Sequence, residues 1–315
     1  MRRAFVFSAG IGYAASTAEF AKRARQAEAL GYGAIGGFGD HFAAPWALVP
    51  ALAAAALSSS SLRLCAFFCN DFRHPAQLAQ ETATIDVLSA GRLQVGIGAG
   101  WHKEEYDRAG IPFCTPGVRI DRLEEAVAVI TGLWSDGPVT FEGRHYKVTG
   151  MEGTPKPLQR PRPTLMIGGG GRRLLSFAAR EADVVGIVGR AWPDGGIDTK
   201  GFTEEGLAEK VGWIRDAAGS GFERLELELI TLGAAVTDDR LAAARRIADG
   251  LSDQAVARGI TAEQVLSNPC FLVGSVDEIV EQLLERRERH GIARVGVPGS
   301  ALEDFAPVVA QLAGR

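Results

Sequence analysis

Residues 75–101 read PAQLAQETATIDVLSAGRLQVGIGAGW, and this stretch contains the structural unit that decides the fold. Pro75 favours the first turn of a helix, because that position needs no N–H donor. Apolar residues then recur at helical spacing until Gly91, which can end the helix in a left-handed turn. The apolar run at residues 93–97 follows at once and predicts a buried strand.

The same unit recurs along the whole chain as a short apolar run, a glycine-bearing turn and an alanine-rich amphipathic helix. Most of these runs lack a clean polar-apolar alternation, which is typical of parallel strands buried on both faces. Eight such units predict an α/β fold of the (β/α)8 TIM barrel type. The predicted strands are residues 4–7, 34–38, 62–68, 93–97, 164–167, 183–188, 225–232 and 293–297.

Two segments interrupt this rhythm and predict insertions. Residues 137–163 contain two strand-like runs around Glu142 and Gly143, which indicates a hairpin, followed by a proline-rich return. Residues 237–268 follow the seventh strand as a mostly helical segment that is longer than one return helix needs. We therefore expect a single domain over residues 1–315, a barrel with insertions after strands 4 and 7.

Composition limits the possible partners. The 315 residues are 46% hydrophobic and 23% charged, with a formal net charge of −4 and no long run of like charge. This balance argues against nucleic acid as a partner. The most apolar stretch, residues 46–57, is far shorter than the roughly 20 residues of a membrane span. Four scattered cysteines and the lack of a signal-peptide pattern predict a cytoplasmic protein without a disulfide framework.

A polar pair directly follows the second predicted strand. Because active sites of barrels lie at the carboxyl ends of the strands, we expect Asp40 and His41 at the catalytic face. Histidine titrates near neutral pH and an adjacent carboxylate can hold its ring, so the pair could orient or protonate a polar ring edge. Trp46 comes shortly afterwards and could wall the same pocket. The alternatives are a histidine that only caps or packs and a tryptophan of the core.

The third and fourth strands end in further candidates. Residues 66–75, which include Asn70, mix aromatic, amide, acidic and basic side chains that are too polar to lie wholly inside a barrel. Consecutive glycines at residues 96–100 would let a flat ligand approach the backbone, although glycine also serves tight turns. Glu104 and Glu105 begin the next helix, where one could be catalytic or both could favour the helix dipole and meet water.

Four glycines and two arginines at residues 168–173 give the clearest ligand signal in the sequence. Free backbone N–H groups at a helix start, together with guanidinium groups, favour phosphate or carboxylate. The spacing is not that of a P-loop, and a structural turn is the alternative. The sequence has no pattern typical of a hydrolase or of a metal centre, so we predict no metal site.

Several of these motifs together resemble the luciferase-like monooxygenase superfamily. The resemblance is strongest to a subgroup of actinobacterial enzymes that are presumed to use the deazaflavin coenzyme F420. It covers nearly the whole chain and depends on residues 70–75, 89–93, 98–101, 119–125, 143–146 and 167–172. It implies a homodimer and a small organic substrate.

The resemblance also implies roles for individual residues. The implied catalytic residues are His41 and Trp46, with Glu104 as the nearest later acid. Trp101 stands where the sugar-phosphate dehydrogenases of the family carry a glutamate, which argues against a sugar-phosphate substrate. Residues 66–67 fall where the family has a strained non-prolyl cis bond behind the ring. Together with the strand-end residues described above, the resemblance gives the predicted cofactor-binding residues, which are Asp40, His41, Ala66, Phe67, Asn70, Ala99, Gly100, Trp101, Gly168, Gly169, Gly170, Gly171 and Arg172.

Three functions agree with these residues. The first is an F420-dependent oxidoreductase that transfers a hydride between the deazaflavin and a small organic substrate. The second is an FMN-dependent monooxygenase that uses O2, since a phosphate-binding loop serves either cofactor. The third is a flavin-binding protein without catalysis, and the presence of both Asp40 and His41 argues against it.

Overall fold

The computed structural model describes residues 3–12, 14–192, 196–198, 202–251 and 259–315. Within these ranges eight parallel strands form a closed barrel, and helices lie between successive strands. The predicted (β/α)8 TIM barrel is therefore confirmed. The insertions after strands 4 and 7 are confirmed as well.

The strands of the described ranges are β1 (Val6–Gly10), β2 (Ala34–Gly39), β3 (Arg63–Cys69), β4 (Leu93–Gly98), β5 (Pro138–Glu142), β6 (Lys147–Glu152), β7 (Thr164–Gly169), β8 (Val184–Ile187), β9 (Glu226–Leu229), β10 (Gly233–Val236), β11 (Phe271–Gly274) and β12 (Ile292–Pro298). Around the barrel the order is β1-β12-β9-β8-β7-β4-β3-β2.

The helices described are α1 (Thr17–Ala29), α2 (Leu48–Ser58), α3 (Pro75–Leu88), α4 (Lys103–Ala109), α5 (Pro116–Trp134), α6 (Arg172–Glu181), α7 (Glu204–Ala218), α8 (Arg240–Leu251), α9 (Ala262–Ser267), α10 (Val276–His290) and α11 (Ala306–Leu312). Among them, none has the length and apolar character that crossing a bilayer would require.

Each predicted strand corresponds to a barrel strand, with two informative differences. β1 begins at Val6 because Phe5 pairs with the end of the chain instead, its N–H donating to the Arg315 carbonyl at 3.1 Å. The predicted strand at residues 225–232 ends early as β9, and the chain then forms β10, which pairs with β11 in a separate parallel sheet. The second insertion therefore begins after β9. Residues 252–258 of this insertion lie outside the described residues.

A polar network around Arg294 fills the amino-terminal half of the barrel interior. The Arg294 guanidinium donates to Glu226 at 2.6 Å and to Gln94 at 2.5 Å. Its Nε also donates to Glu228 at 3.3 Å. The Arg294 side chain is only 5% exposed, so these acceptors stabilise a charge that would otherwise be costly to bury. Ligand-binding residues are therefore expected at the carboxyl ends of the strands, as in other barrels.

Arg92 fixes the turn between α3 and β4. Gly91 ends the helix with a φ of 77°, a conformation that glycine adopts readily. The Arg92 guanidinium then donates to the carbonyls of Leu62 and Ala56 at 2.7 and 2.8 Å. Its Nε donates to the Ser89 carbonyl at 2.7 Å. One side chain therefore ties this turn to α2 and to the start of β3.

The first insertion contains the predicted hairpin, in which β5 pairs antiparallel with β6. Glu125 of α5 holds its turn, because the carboxylate accepts from the backbone N–H groups of residues 144–146 at 2.8, 2.8 and 3.0 Å. A Cβ at Gly143 would lie 2.3 Å from a Glu125 oxygen, so a larger residue there would displace this carboxylate. Burial raises the pKa of Glu125, but the three N–H groups lower it by more.

We expect Glu125→Gln to lower the free energy of unfolding by about 1–2 kcal/mol near neutral pH, because an amide cannot satisfy the three N–H donors as a carboxylate does. The folded-state pKa of Glu125 is lowered. The stabilisation is therefore present above the unfolded-state pKa of about 4.3 and is lost as the pH falls through the folded-state pKa. Urea unfolding at a series of pH values measures both effects.

Glu142→Gln is the matched control, since this hairpin carboxylate is 74% exposed and pairs with Lys147 alone among the described residues. Equal and pH-independent losses in both variants would show that Glu125 does not anchor the hairpin.

Candidate active site

Asp40 lies at the mouth of the barrel, by which we mean the edge formed by the carboxyl ends of the barrel strands. Its carboxylate is already engaged, because both terminal nitrogens of Arg73 donate to it, one of them at 3.1 Å. The backbone N–H of Cys69 donates to the same carboxylate at 3.2 Å. The N–H of Asp40 donates to the Phe67 carbonyl at 3.1 Å. Asp40 thus joins the ends of β2 and β3, and its contact with a cofactor ring stays a prediction.

His41 forms a cluster with two residues that follow β4. Nδ1 of His41 lies 2.8 Å from Oε2 of Glu105, and Nδ1 of His102 lies 3.4 Å from the same oxygen. The side chains of His41, His102 and Glu105 are 40%, 28% and 8% exposed. A buried carboxylate therefore lies behind two accessible imidazoles, and it can fix the orientation of the His41 ring.

The two adjacent glutamates, Glu104 and Glu105, have different surroundings in the structure. Glu104, the predicted catalytic acid, is 60% exposed and pairs with Arg108 at 2.5 Å. Glu105 takes the buried position, because successive helical residues point about 100° apart. His102 and Glu105 lie three residues apart and so share a face of the chain at the start of α4. That spacing is the signal that could have identified the pair.

The two predicted tryptophans have different surroundings. Trp101 stacks on His102 with 4.9 Å between ring centroids, and its ring centroid lies 6.0 Å from that of His41. Trp46 precedes α2 and packs against Phe20 of α1 with 6.3 Å between centroids. Trp101 therefore packs against one side of the histidine cluster. The described ring contact of Trp46 is with the core, so its catalytic role stays a prediction.

A protein ring fills the space beside the glycines of β4 and β7. A Cβ at Gly96, Gly98 or Gly168 would lie 2.5, 2.9 or 2.6 Å from the Phe67 ring. The sequence predicted that a flat ligand would approach the backbone at the β4 glycines. In the structure the Phe67 ring of β3 lies against Gly96 and Gly98 instead. Its half-buried ring forms a floor at the mouth. Residues 99–100, which were predicted to line the cofactor ring, follow β4 directly and are half-buried.

The peptide bond between Ala66 and Phe67 is trans, so the expected non-prolyl cis bond is wrong. The cis bonds in the described part of the chain precede Pro155 and Pro161. Both Ala66 and Phe67 keep their register with β4, pairing with Val95 and Gly96.

Asn70 belongs to a buried polar group between the end of β3 and α5. Its Nδ2 donates to the Tyr146 hydroxyl at 3.4 Å. The Tyr106 hydroxyl donates to Asp71 at 3.2 Å, and Arg122 lies 3.3 Å from the other Asp71 oxygen. Burial raises the pKa of Asp71, while the Arg122 charge opposes that rise. Asn70 is only 2% exposed, and its predicted contact with a cofactor stays a prediction.

The glycine-rich loop after β7 presents one available arginine at the start of α6. Gly171 is the N-cap residue and offers no side chain to the first N–H groups of the helix. Arg172 is exposed and has no hydrogen bond or ion pair with any residue that the structure describes. Arg173 instead pairs with Asp121 and Glu124 of α5 at 2.6 and 2.9 Å. Arg172 and the uncapped N–H groups could therefore hold an anion.

Sequence reasoning missed Lys210 of α7, which shapes this loop. The Lys210 side chain is 8% exposed, and its Nζ donates to the Gly170 carbonyl at 2.6 Å. Gly170 also packs against the chain after β8, where an added Cβ would lie 2.1 Å from the Gly189 oxygen. Burial lowers the pKa of Lys210. No local pattern distinguishes this lysine, because only the packing of α7 against the loop makes the contact.

Comparison with known proteins confirms the resemblance suggested by the motifs. A family model for luciferase-like monooxygenases matches residues 3–264. An FMNH(2)-dependent dimethylsulfone monooxygenase of Pseudomonas putida is 33% identical over 146 residues, which are 46% of this chain and 37% of that enzyme. The match therefore spans less than half the length of that relative.

Solved structures with a similar fold cover almost the whole chain. The coenzyme F420-dependent tetrahydromethanopterin reductase of Methanopyrus kandleri has a TM-score of 0.78 and 18% identity, with 99% of each chain covered. An F420-dependent secondary alcohol dehydrogenase has a TM-score of 0.77 and 20% identity, with 98% of this chain and 97% of that chain covered. At these identities the likeness shows the fold alone.

We expect Gly39→Ala to displace the His41 ring while leaving the barrel folded. An added Cβ would lie 2.7 Å from Cδ2 and 3.1 Å from Nε2 of His41, and a rotatable side chain can yield to it. A crystal structure of the variant should show His41 Nδ1 beyond hydrogen-bond distance of Glu105. Gly33→Ala is the control, since its Cβ would meet nothing nearer than Val6 at 4.0 Å. An unmoved His41 ring would contradict this account of Gly39.

Proposed function

This chain belongs to the luciferase-like monooxygenase family, and from that premise we propose that it is an oxidoreductase with a phosphate-bearing, flavin-type cofactor at the mouth of its barrel. The observation that carries the proposal is the exposed Arg172, which is unpaired among the described residues and lies beside the uncapped start of α6. The same mouth holds an imidazole and a carboxylate in contact, His41 and Glu105 at 2.8 Å. The first feature suits an anionic cofactor, and the second suits proton transfer.

The residues around the mouth fit such a cofactor. Arg172 and the first N–H groups of α6 would hold a phosphate by charge and by the helix dipole. The Phe67 ring offers a flat apolar floor, and Trp101 offers a wall beside the histidine cluster. Phe67, His41 and Trp101 would contact the redox ring, and Arg172 with the start of α6 would hold the phosphate.

We propose F420 as the cofactor and a small organic molecule as the substrate. The bound deazaflavin would accept or supply the hydride. His41 would carry the accompanying proton at Nε2, because its Nδ1 faces the Glu105 carboxylate. Glu105 would hold the ring in that orientation, and Trp101 would limit access of water. Glu105 thus replaces Glu104 as the acidic partner in this proposal.

The main alternative is an FMN-dependent monooxygenase that uses O2. The 33% identity to an FMNH(2)-dependent enzyme of Pseudomonas putida favours it. The α6 anion site suits the phosphate of either cofactor. A flavin-binding protein without catalysis would have no need of the contact between His41 and Glu105. A cytoplasmic homodimer stays a prediction from the sequence.

Cofactor titration tests the proposal. We expect the cofactor-free protein to bind F420 at least tenfold more tightly than FMN, a difference of about 1.4 kcal/mol. Arg172→Ala should weaken F420 binding about tenfold or more, because it removes a charged donor to phosphate. Isothermal calorimetry gives all the dissociation constants. Arg180→Ala is the matched control, since Arg180 is exposed at the opposite end of the same helix.

Other outcomes of the titration are equally informative. Equal losses in Arg172→Ala and Arg180→Ala would contradict the phosphate site. A preference for FMN would favour the oxygen-using alternative. Binding of neither cofactor would overturn the redox proposal.

Turnover tests the acid-base pair. We expect His41→Ala to lower kcat by about 100-fold to 10,000-fold, the usual contribution of a positioned acid or base, with cofactor affinity little changed. Glu105→Gln should also lower kcat, whereas Glu104→Gln should leave it close to that of the native enzyme. Steady-state kinetics and cofactor titration of the three variants measure this. The reverse order of the two glutamates would restore Glu104 as the catalytic acid.

A further inference from the structure

We propose that His41, His102 and Glu105 form a binding site for a divalent transition metal of the zinc class. One potential ligand atom of each residue lies within 4.8 Å of the other two. Zinc bonds to imidazole nitrogen and carboxylate oxygen at about 2.0–2.2 Å, so two ligand atoms of a tetrahedral site lie about 3.3 Å apart. The distances of 2.8 and 3.4 Å from the Glu105 oxygen to the two imidazoles lie on either side of that spacing.

The chemistry of the three side chains selects the class of metal. Two imidazoles and one carboxylate are a ligand set of open zinc sites, which keep a further position for water or substrate. Magnesium and calcium prefer sites made of oxygen ligands, so they fit this cluster poorly. Sequence patterns did not predict the site, because the segment after β2 supplies His41 from a distant part of the chain and only the barrel brings it beside His102.

Burial and charge also favour a cation here. Oε1 of Glu105 is buried and has no hydrogen-bond partner among the described residues, so the carboxylate has unused ligand capacity. The histidines are 40% and 28% exposed, which leaves an entry path and room for water ligands. A carboxylate oxygen of Glu104 lies 3.9 Å from Nε2 of His102 and adds negative charge nearby. The Asp40 carboxylate is occupied by Arg73 and would not compete for the ion.

Metal binding would have one consequence for the activity proposed above. The ion would take a His41 nitrogen into coordination and draw Glu105 away from its positioning role. Zinc would then inhibit turnover, and a chelator would restore it. This inhibition depends on the proposed function, whereas metal binding does not.

Calorimetric titration of the chelator-treated 315-residue protein with Zn²⁺ tests the site without any turnover. We expect one equivalent to bind, and we expect His102→Gln and Glu105→Gln each to weaken binding by about 100-fold, because each removes a direct ligand. Asp107→Asn is the matched control on the same helix, since Asp107 is 55% exposed and pairs with Lys103. It should bind Zn²⁺ as the native protein does.

A second measurement uses the unaltered protein and does not depend on the folding of variants. The chain has 5 histidines, and Zn²⁺ should shift the imidazole NMR signals of His41 and His102 together at one equivalent. No binding, shifts confined to other histidines, or unchanged affinity in both ligand variants would overturn the site. Tight binding at the cluster without loss of turnover would overturn the predicted inhibition.

Discussion

A barrel of eight parallel strands closes only when side chains fill its interior, and this requirement governs the rest of the molecule. Arg294 and its partners fill the amino-terminal half as a paired charge. At the other end the Phe67 ring lies against glycines of β4 and β7, which have no Cβ to obstruct it. Because protein side chains occupy the interior, the proposed cofactor site lies among the loops and helix starts of the mouth.

Each of three carboxylates at the mouth has a basic side chain as its partner. Asp40 is held by Arg73, the Asp71 carboxylate is met by Arg122, and Glu105 lies between His41 and His102. A buried carboxylate without a partner would be strongly destabilising, so each acid at a strand end has a partner from another element. Glu105 differs from the other two, because imidazoles rather than guanidinium groups meet it. Imidazoles can exchange protons or bind a metal, whereas arginine can do neither at ordinary pH.

The charged groups of the proposed anion site are likewise divided between structure and binding. Arg173 pairs with two carboxylates of α5 and Lys210 holds the Gly170 carbonyl, so both cations position the loop. Arg172 makes no such contact with any described residue, and we propose it as the phosphate-binding cation. The proposed phosphate site and the histidine cluster therefore lie on different elements of one mouth. This arrangement is suited to a long cofactor whose charged tail and reactive ring are held separately.

The sequence by itself determined the features that depend on local order along the chain. These are the barrel strands, the hairpin and the glycine-arginine loop, because periodicity, turn residues and helix starts are written in neighbouring positions. Only the tertiary structure decided which side chains meet across elements. In the folded chain Asp40 pairs with Arg73, and Glu105 rather than Glu104 is buried. The chain also leaves the barrel after β9, and β10 pairs with β11. Such choices follow from the closing of the barrel, which sets distant residues side by side and which no short stretch of sequence encodes.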